Sequence, residues 1–225
     1  MKGCILLSNQ NANHSDIAGV KKIGIIMIIA LIVFFTVVSI LGKFKFEKDQ
    51  PDISGKHHAE IVVRDYGTIT VELDADAAPI TVDNFLKLAD EGFYDGLTFH
   101  RIYPYFMIQG GSPEGDGIGG NGKETIKGEF KSNGWDKNTL THVRGCISMA
   151  RTKMPDSASS QFFIVHEDST YLDGDYASFG YVTEGMEVVD ALCDWVASGA
   201  VVCDGNGVIQ DINEMPIIET VRRID

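Results

Sequence analysis

Residues 99–111, FHRIYPYFMIQGG, place Arg101 and Gln109 on either side of Phe106 and Met107, with a glycine pair behind. A guanidinium is a permanent cation with five donors, and an amide both donates and accepts. Neither is a nucleophile. His100 and His142 are not accompanied by a recognisable Ser or Cys nucleophile motif, so they read as polar core or surface residues. A fixed cation, an amide and an apolar wall suit one kind of chemistry, the stabilisation of redistributing charge in a dry pocket.

Such groups need rigid elements to hold them. EIVVR and TITVEL surround Asp65-Tyr66-Gly67, a hairpin signal. From Thr81 the period changes, with Val82, Phe85, Leu86 and Ala89 at helical spacing, Thr81 as the expected N-cap and Gly92 as the stop. A second helix is expected over Met186 to Trp195, with Val188, Val189, Leu192 and Val196 on one face. The segments LTFHRI, FMIQG, CISMA, QFFIV, SFGYV and PIIETVRRI are short strand candidates. Many short strands and only two helices fit a closed or nearly closed antiparallel barrel better than a parallel α/β sheet.

Other patterns carry less. GIGGNGKE, residues 117–124, matches the glycine spacing of nucleotide loops, but Glu124 stands where a phosphate loop needs Ser or Thr. No strand precedes it and no helix follows, so a surface loop is expected. Asp204-Gly205-Asn206-Gly207 lacks the glycine and ligand spacing of a calcium loop and reads as a turn between VVC and VIQ. His57 and His58 read as solvated linker residues. Cys4, Cys146, Cys193 and Cys203 show no metal-binding spacing, and free thiols are expected, with a Cys193–Cys203 pairing left open. No metal or cofactor is implied.

The chain has 225 residues, 44% of them hydrophobic, enough for one well-filled domain with appendages. Residues 23–41, IGIIMIIALIVFFTVVSIL, are uncharged and approach the roughly 20 residues of a membrane-spanning helix. The run exceeds the roughly 7–15 apolar residues of a cleaved signal, and no A-x-A-like site follows, which favours an uncleaved signal anchor. The expected organisation is a tail over 1–22, a transmembrane segment over 23–41, a linker over 42–58 and a domain over 59–225. Lysines flank the run on both sides, so the positive-inside count does not decide orientation. The short polar tail nevertheless favours a single-pass protein of the cell membrane with its domain outside the cytoplasm. Residues 57–225 carry 12 Lys/Arg against 28 Asp/Glu. That balance argues against a nucleic-acid partner.

FHRIYPYFMIQGG, SMA at 148–150, SSQFFIV at 159–165 and YLDGDYASFG at 171–180 together closely resemble the cyclophilin family of peptidyl-prolyl cis–trans isomerases, from about Ala59 to Asp225. The resemblance implies a mainly β fold, a closed eight-stranded antiparallel β-barrel capped by two α-helices. It also implies that proline-containing polypeptides are the partners, that Arg101 is the catalytic cation and that Gln109 positions the substrate backbone. Phe106, Met107, Phe163 and Leu172 would form the proline pocket, with Ala150, Gln161, Tyr171 and Tyr176 at further groove positions. A monomeric domain is expected. Isomerisation breaks no bond, which fits a site without a nucleophile: amide resonance opposes rotation by ~18–20 kcal/mol, and a fixed donor favours the twisted state. A non-catalytic, membrane-tethered proline-peptide binder or chaperone is the alternative reading. A tethered hydrolase would need a nucleophile constellation that the sequence does not display. Tyr171 stands where cyclosporin-binding members have tryptophan, Tyr176 where they have histidine, and Tyr105 where they have glycine. Arg151-Thr152-Lys153-Met154 replaces a smaller polar segment. Weak cyclosporin binding is therefore expected.

Overall fold

The computed structural model describes residues 27–41, 51–118 and 125–225. The tail 1–22, residues 23–26 of the apolar run, residues 42–50 of the linker and residues 119–124 of the glycine-rich loop lie outside the described residues. The chain divides into two units, residues 1–50 and 51–225. In the first, residues 27–41 form a helix, α1, whose side chains are exposed. None of the described helices is long and apolar enough to cross a membrane, so the spanning helix expected over 23–41 is not found among them.

Among its described residues the second unit contains eight antiparallel strands, β1 (Lys56–Val63), β2 (Gly67–Asp74), β3 (Arg101–Tyr103), β4 (Met107–Gly110), β5 (Cys146–Met149), β6 (Phe162–Val165), β7 (Ser178–Glu184) and β8 (Ile218–Arg223). Two helices accompany them, α2 (Pro79–Asp90) and α3 (Met186–Ala197). The hydrogen-bonded order is β3-β4-β6-β5-β7-β2-β1-β8. A closed barrel was expected, but β3 and β8 do not pair along their length. Their approaches are joined by one bridge, Thr98 to Ile217, and by Ile218 N donating to Leu97 O at 2.7 Å. The reason lies in β3, whose outer edge is already occupied. Ile102 N donates to Gly207 O at 2.8 Å, and Ile209 N to His100 O at 3.0 Å. LTFHRI contributes a strand only from Arg101 onward, its earlier residues making only isolated bridges, Thr98 to Ser112 and to Ile217.

The first hairpin pairs Val63 with Gly67 and Lys56 with Asp74, and Asp65 sits at φ +65° in its turn. Because β1 begins at Lys56, His57 and His58 are strand residues rather than solvated linker. His58 lies 3.3 Å from Asp225 and 3.7 Å from Glu72. α2 starts at Pro79, where a missing N–H costs nothing, and its N-cap is Ala78 instead of Thr81. With no capping side chain at Ala78, the buried Glu129 takes over from outside the helix. Its carboxylate accepts from Ile80 N at 2.9 Å, Thr81 N at 2.8 Å and Thr81 Oγ1 at 2.6 Å. Two of the orphan donors that every helix start presents are thus satisfied by a residue 48 positions away. Cys146, Cys193 and Cys203 are free thiols.

Strand alternation sorts the apolar residues into two clusters. Ile108 on β4 and Phe162 and Ile164 on β6 join the main core, with Phe85 of α2 stacked among Tyr94, Phe162 and Phe179 at centroid distances of 5.3–5.4 Å. Met107, Phe163 and Val165 point to the other face, where with Cys146 they form a second cluster bordered by Phe106, Ala150, Leu172 and Tyr176.

Candidate active site

The second cluster floors a cavity of about 330 Å³ lined by Arg101, Phe106, Met107, Gln109, Ala150, Arg151, Phe163, Leu172 and Tyr176. Eight of the ten residues singled out in the sequence meet there. Gln161 lies just behind and Tyr171, 71% exposed, stands at the rim with its ring 6.1 Å from that of Phe106. No acidic side chain lines the cavity.

Arg101 and Gln109 are direct partners across the β3–β4 hairpin. Their side chains begin a polar chain: Arg101 Nη1 donates to Gln109 Oε1 at 3.2 Å, Gln109 Nε2 to Gln161 Oε1 at 2.9 Å, and Gln161 Nε2 to Gly117 O at 3.1 Å. Arg101 Nε donates to Asn206 O at 2.8 Å, and its guanidinium carbon lies 5.8 Å from the Phe106 ring centroid. Burial pushes the Arg101 pKa below its ordinary value, opposed by Asp204, but a guanidinium stays charged at neutral pH. The cation is therefore held by neutral oxygens, with donors to spare.

Local backbone explains the rest of the opening motif. A Cβ at Gly110 would lie 3.0 Å from Thr98 O, and one at Gly111, whose φ is +82°, would lie 2.7 Å from Ser160 O. Only glycine permits that approach. At the hairpin tip Tyr105 adopts φ +67°, an unusual conformation for a residue with a side chain, and its N–H donates to His166 Nδ1 at 3.0 Å.

Two features escaped the sequence. Arg151 lines the cavity with its guanidinium carbon 4.5 Å from the Tyr176 ring centroid and 5.0 Å from that of Phe130. Its signal was available, a cation one residue beyond Ala150. The second is a Ser–His–Asp arrangement joined across 31 residues. Asp173 Oδ1 accepts from His142 Nδ1 at 2.8 Å, and a carboxylate acceptor there leaves Nε2 to accept from Ser148 Oγ at 3.0 Å. It is unsuited to nucleophilic attack. Ser148 and His142 are fully buried and neither lines the cavity. Instead the His142 ring stacks behind Phe163, at 6.0 Å and 16°, and stiffens the pocket wall. Burial pushes the His142 pKa down against the pull of Asp173, which keeps the ring neutral. Among the described residues no group of three His, Cys, Asp or Glu could hold a metal ion.

A cavity with an apolar floor on the face of the sheet opposite the main core, with a guanidinium held only by neutral oxygens and an amide at its edge, has the shape and chemistry to hold a small apolar ring flanked by backbone. The chain belongs to the cyclophilin-type peptidyl-prolyl cis–trans isomerases, whose family model matches residues 58–217. Peptidyl-prolyl cis-trans isomerase B of Bacillus subtilis is 51% identical over 126 residues, 56% of this chain and 83% of that protein. Peptidyl-prolyl cis-trans isomerase A of Dickeya dadantii is 40% identical over 157 residues, 68% and 76% of the two chains. A solved cyclophilin-type isomerase of Cryptosporidium parvum superposes with a TM-score of 0.62 at 28% identity, covering 76% of this chain and 99% of its own. The same protein has also been solved in the presence of the dipeptide Ala-Pro. The activity of this chain is peptidyl-prolyl cis–trans isomerisation.

His100, next to Arg101 and 1% exposed, has no hydrogen-bond partner for either ring nitrogen among the described residues. Burial, followed by the Arg101 charge, holds its pKa down to about 4. A folded pKa below the unfolded value of about 6.5 means that the unfolded chain takes up the proton first, so stability is complete above pH 6.5 and is lost as pH falls toward 4. Between pH 7 and 4.5 His100 should account for about 2–3 kcal/mol of lost stability. Urea unfolding at both pH values should show His100→Leu losing correspondingly less; an unchanged pH difference would refute the assignment.

Proposed function

We propose that the cavity receives a proline ring against Phe106, Met107, Phe163 and Leu172, and that Arg101 is the catalytic cation. Ala150, Gln161, Tyr171 and Tyr176 flank the bound chain, and Gln109 positions its backbone. The observation that carries this reading is an arginine fixed beside an apolar cavity floor by neutral acceptors, Asn206 O and Gln109 Oε1, with no carboxylate among the described residues within ion-pair distance. When the imide twists, its nitrogen becomes pyramidal and regains a localised lone pair. A donor already in place stabilises that state more than the planar one, and the surrounding rings magnify the effect. Lowering the ~18–20 kcal/mol barrier by about 7 kcal/mol corresponds to a rate gain of roughly 10⁵. The Ala-Pro dipeptide used with the Cryptosporidium relative is the smallest chain that offers such a ring and imide.

The clients are taken to be exported proteins. This rests on the uncharged run 23–41, which we read as a single-pass anchor with residues 1–22 in the cytoplasm and the acidic domain outside. Cyclosporin is expected to bind weakly, because Tyr171 offers its hydroxyl at the end of a different ring from the indole N–H of cyclosporin-binding members.

Each part has its own test. Arg101→Ala in the full chain should lower turnover of an Ala-Pro peptide by about 10²–10³-fold, the usual loss on removing one donor aimed at a transition state, with an unchanged melting curve. Near-wild-type exchange by NMR in a folded variant would reject the role. With no titrating acid or base in the step, the wild-type rate should also stay flat across neutral pH.

For topology, protease added to intact cells stripped of any outer wall should digest the domain, whereas protection until the membrane is opened would place it inside. Tyr171→Trp should tighten cyclosporin inhibition by about tenfold, the equivalent of one regained hydrogen bond. Strong wild-type inhibition that the substitution leaves alone would contradict the drug-binding reading.

A further inference from the structure

The cavity holds a second cation that the twisting step does not use. Arg151 is clamped between Phe130 and Tyr176, and its Nε donates to Asp175 O at 2.8 Å and its Nη1 to Thr152 O at 2.9 Å. Both acceptors are neutral carbonyls, and Nη2 donates to no described residue. Of the other arginines in the unit, Arg144, Arg222 and Arg223 are paired with carboxylates, whereas the exposed Arg64 has no such partner among the described residues. In a segment with 28 acidic residues, neither arginine of this cavity is in a salt bridge among the described residues, although Asp204 acts on Arg101 from a distance.

We propose that Arg151 is a specificity residue that selects client chains carrying an acidic side chain close to the proline. A guanidinium already immobilised by two rings and two carbonyls loses little freedom on pairing, and its planar edge matches a carboxylate. The net negative charge of the domain opposes an acidic client at a distance. At physiological salt, however, exposed charges more than about 8 Å apart are largely screened, so the contact pair decides. A lysine at the same client position would instead meet an unneutralised cation.

The inference rests on the cavity being the proline site, and the test separates the two. The full chain in detergent is given peptides with Glu, Ala or Lys placed in turn at the two residues before proline and the one after it, and kcat/KM is read for each. At one of these positions Glu should exceed Lys by about tenfold, with the ratio shrinking at high salt. Arg151→Gln should bring the ratio to within about twofold, and Arg151→Lys should restore part of it. Because a ratio cancels the amount of folded enzyme, partial misfolding of a variant does not mimic the result. An unchanged Glu-to-Lys ratio in Arg151→Gln, or no preference in the wild type, overturns the inference while turnover of the Ala peptide leaves the pocket standing. No dependence on Arg101 with the Ala peptide removes both.

Discussion

A cation placed against apolar rings must be held without being neutralised. A carboxylate partner for Arg101 would secure its position and cancel its field, and the structure holds it instead through weaker acceptors, a backbone carbonyl and an amide oxygen. That choice propagates. Gln109 must be oriented by Gln161, and Gln161 by the carbonyl of Gly117. The turn carrying Asn206 must be pressed against β3, and it thereby occupies the edge that β8 would need to complete a ladder. The incomplete closure of the sheet is a consequence of how the site is wired.

The same strands serve fold and function by alternation. On β4 and β6, Ile108, Phe162 and Ile164 bind the sheet to α2 through the main core, while Met107, Phe163 and Val165 build the cavity floor from the opposite side. Behind that floor, His142, Ser148 and Asp173 stiffen the wall, a use of serine and histidine that has nothing to do with nucleophilic attack. The atoms are arranged as a triad would be. Burial removes the access that such chemistry demands.

Much of this was legible from residue order. Apolar patterning located six of the eight strands closely and the helical period located both domain helices, while β1 begins four residues before EIVVR, because local patterning reports which face is buried. LTFHRI is a strand only in its last residues, because Leu97–Phe99 meet Ser112 and Pro216–Ile218 in isolated bonds that no local spacing reveals. The cap of α2 was misplaced for a similar reason: Thr81 has the chemistry of a cap, but Glu129 supplies the acceptor from a distant loop. Arg151 was seen only as a departure from the family pattern. Its stacking on Phe130 and Tyr176 brings together three segments that no local spacing links.

The tie between Arg101 and Asn206 spans 105 residues of chain, and it has a bearing on the order of synthesis. A ribosome makes the FHR segment 105 residues before Asn206 of the turn at Asp204–Gly207. Until that turn emerges, β3 has no partner on its outer edge and the guanidinium no anchor for Nε. The nascent chain therefore carries every strand that lines the cavity before it carries the carbonyl that fixes the direction of Arg101.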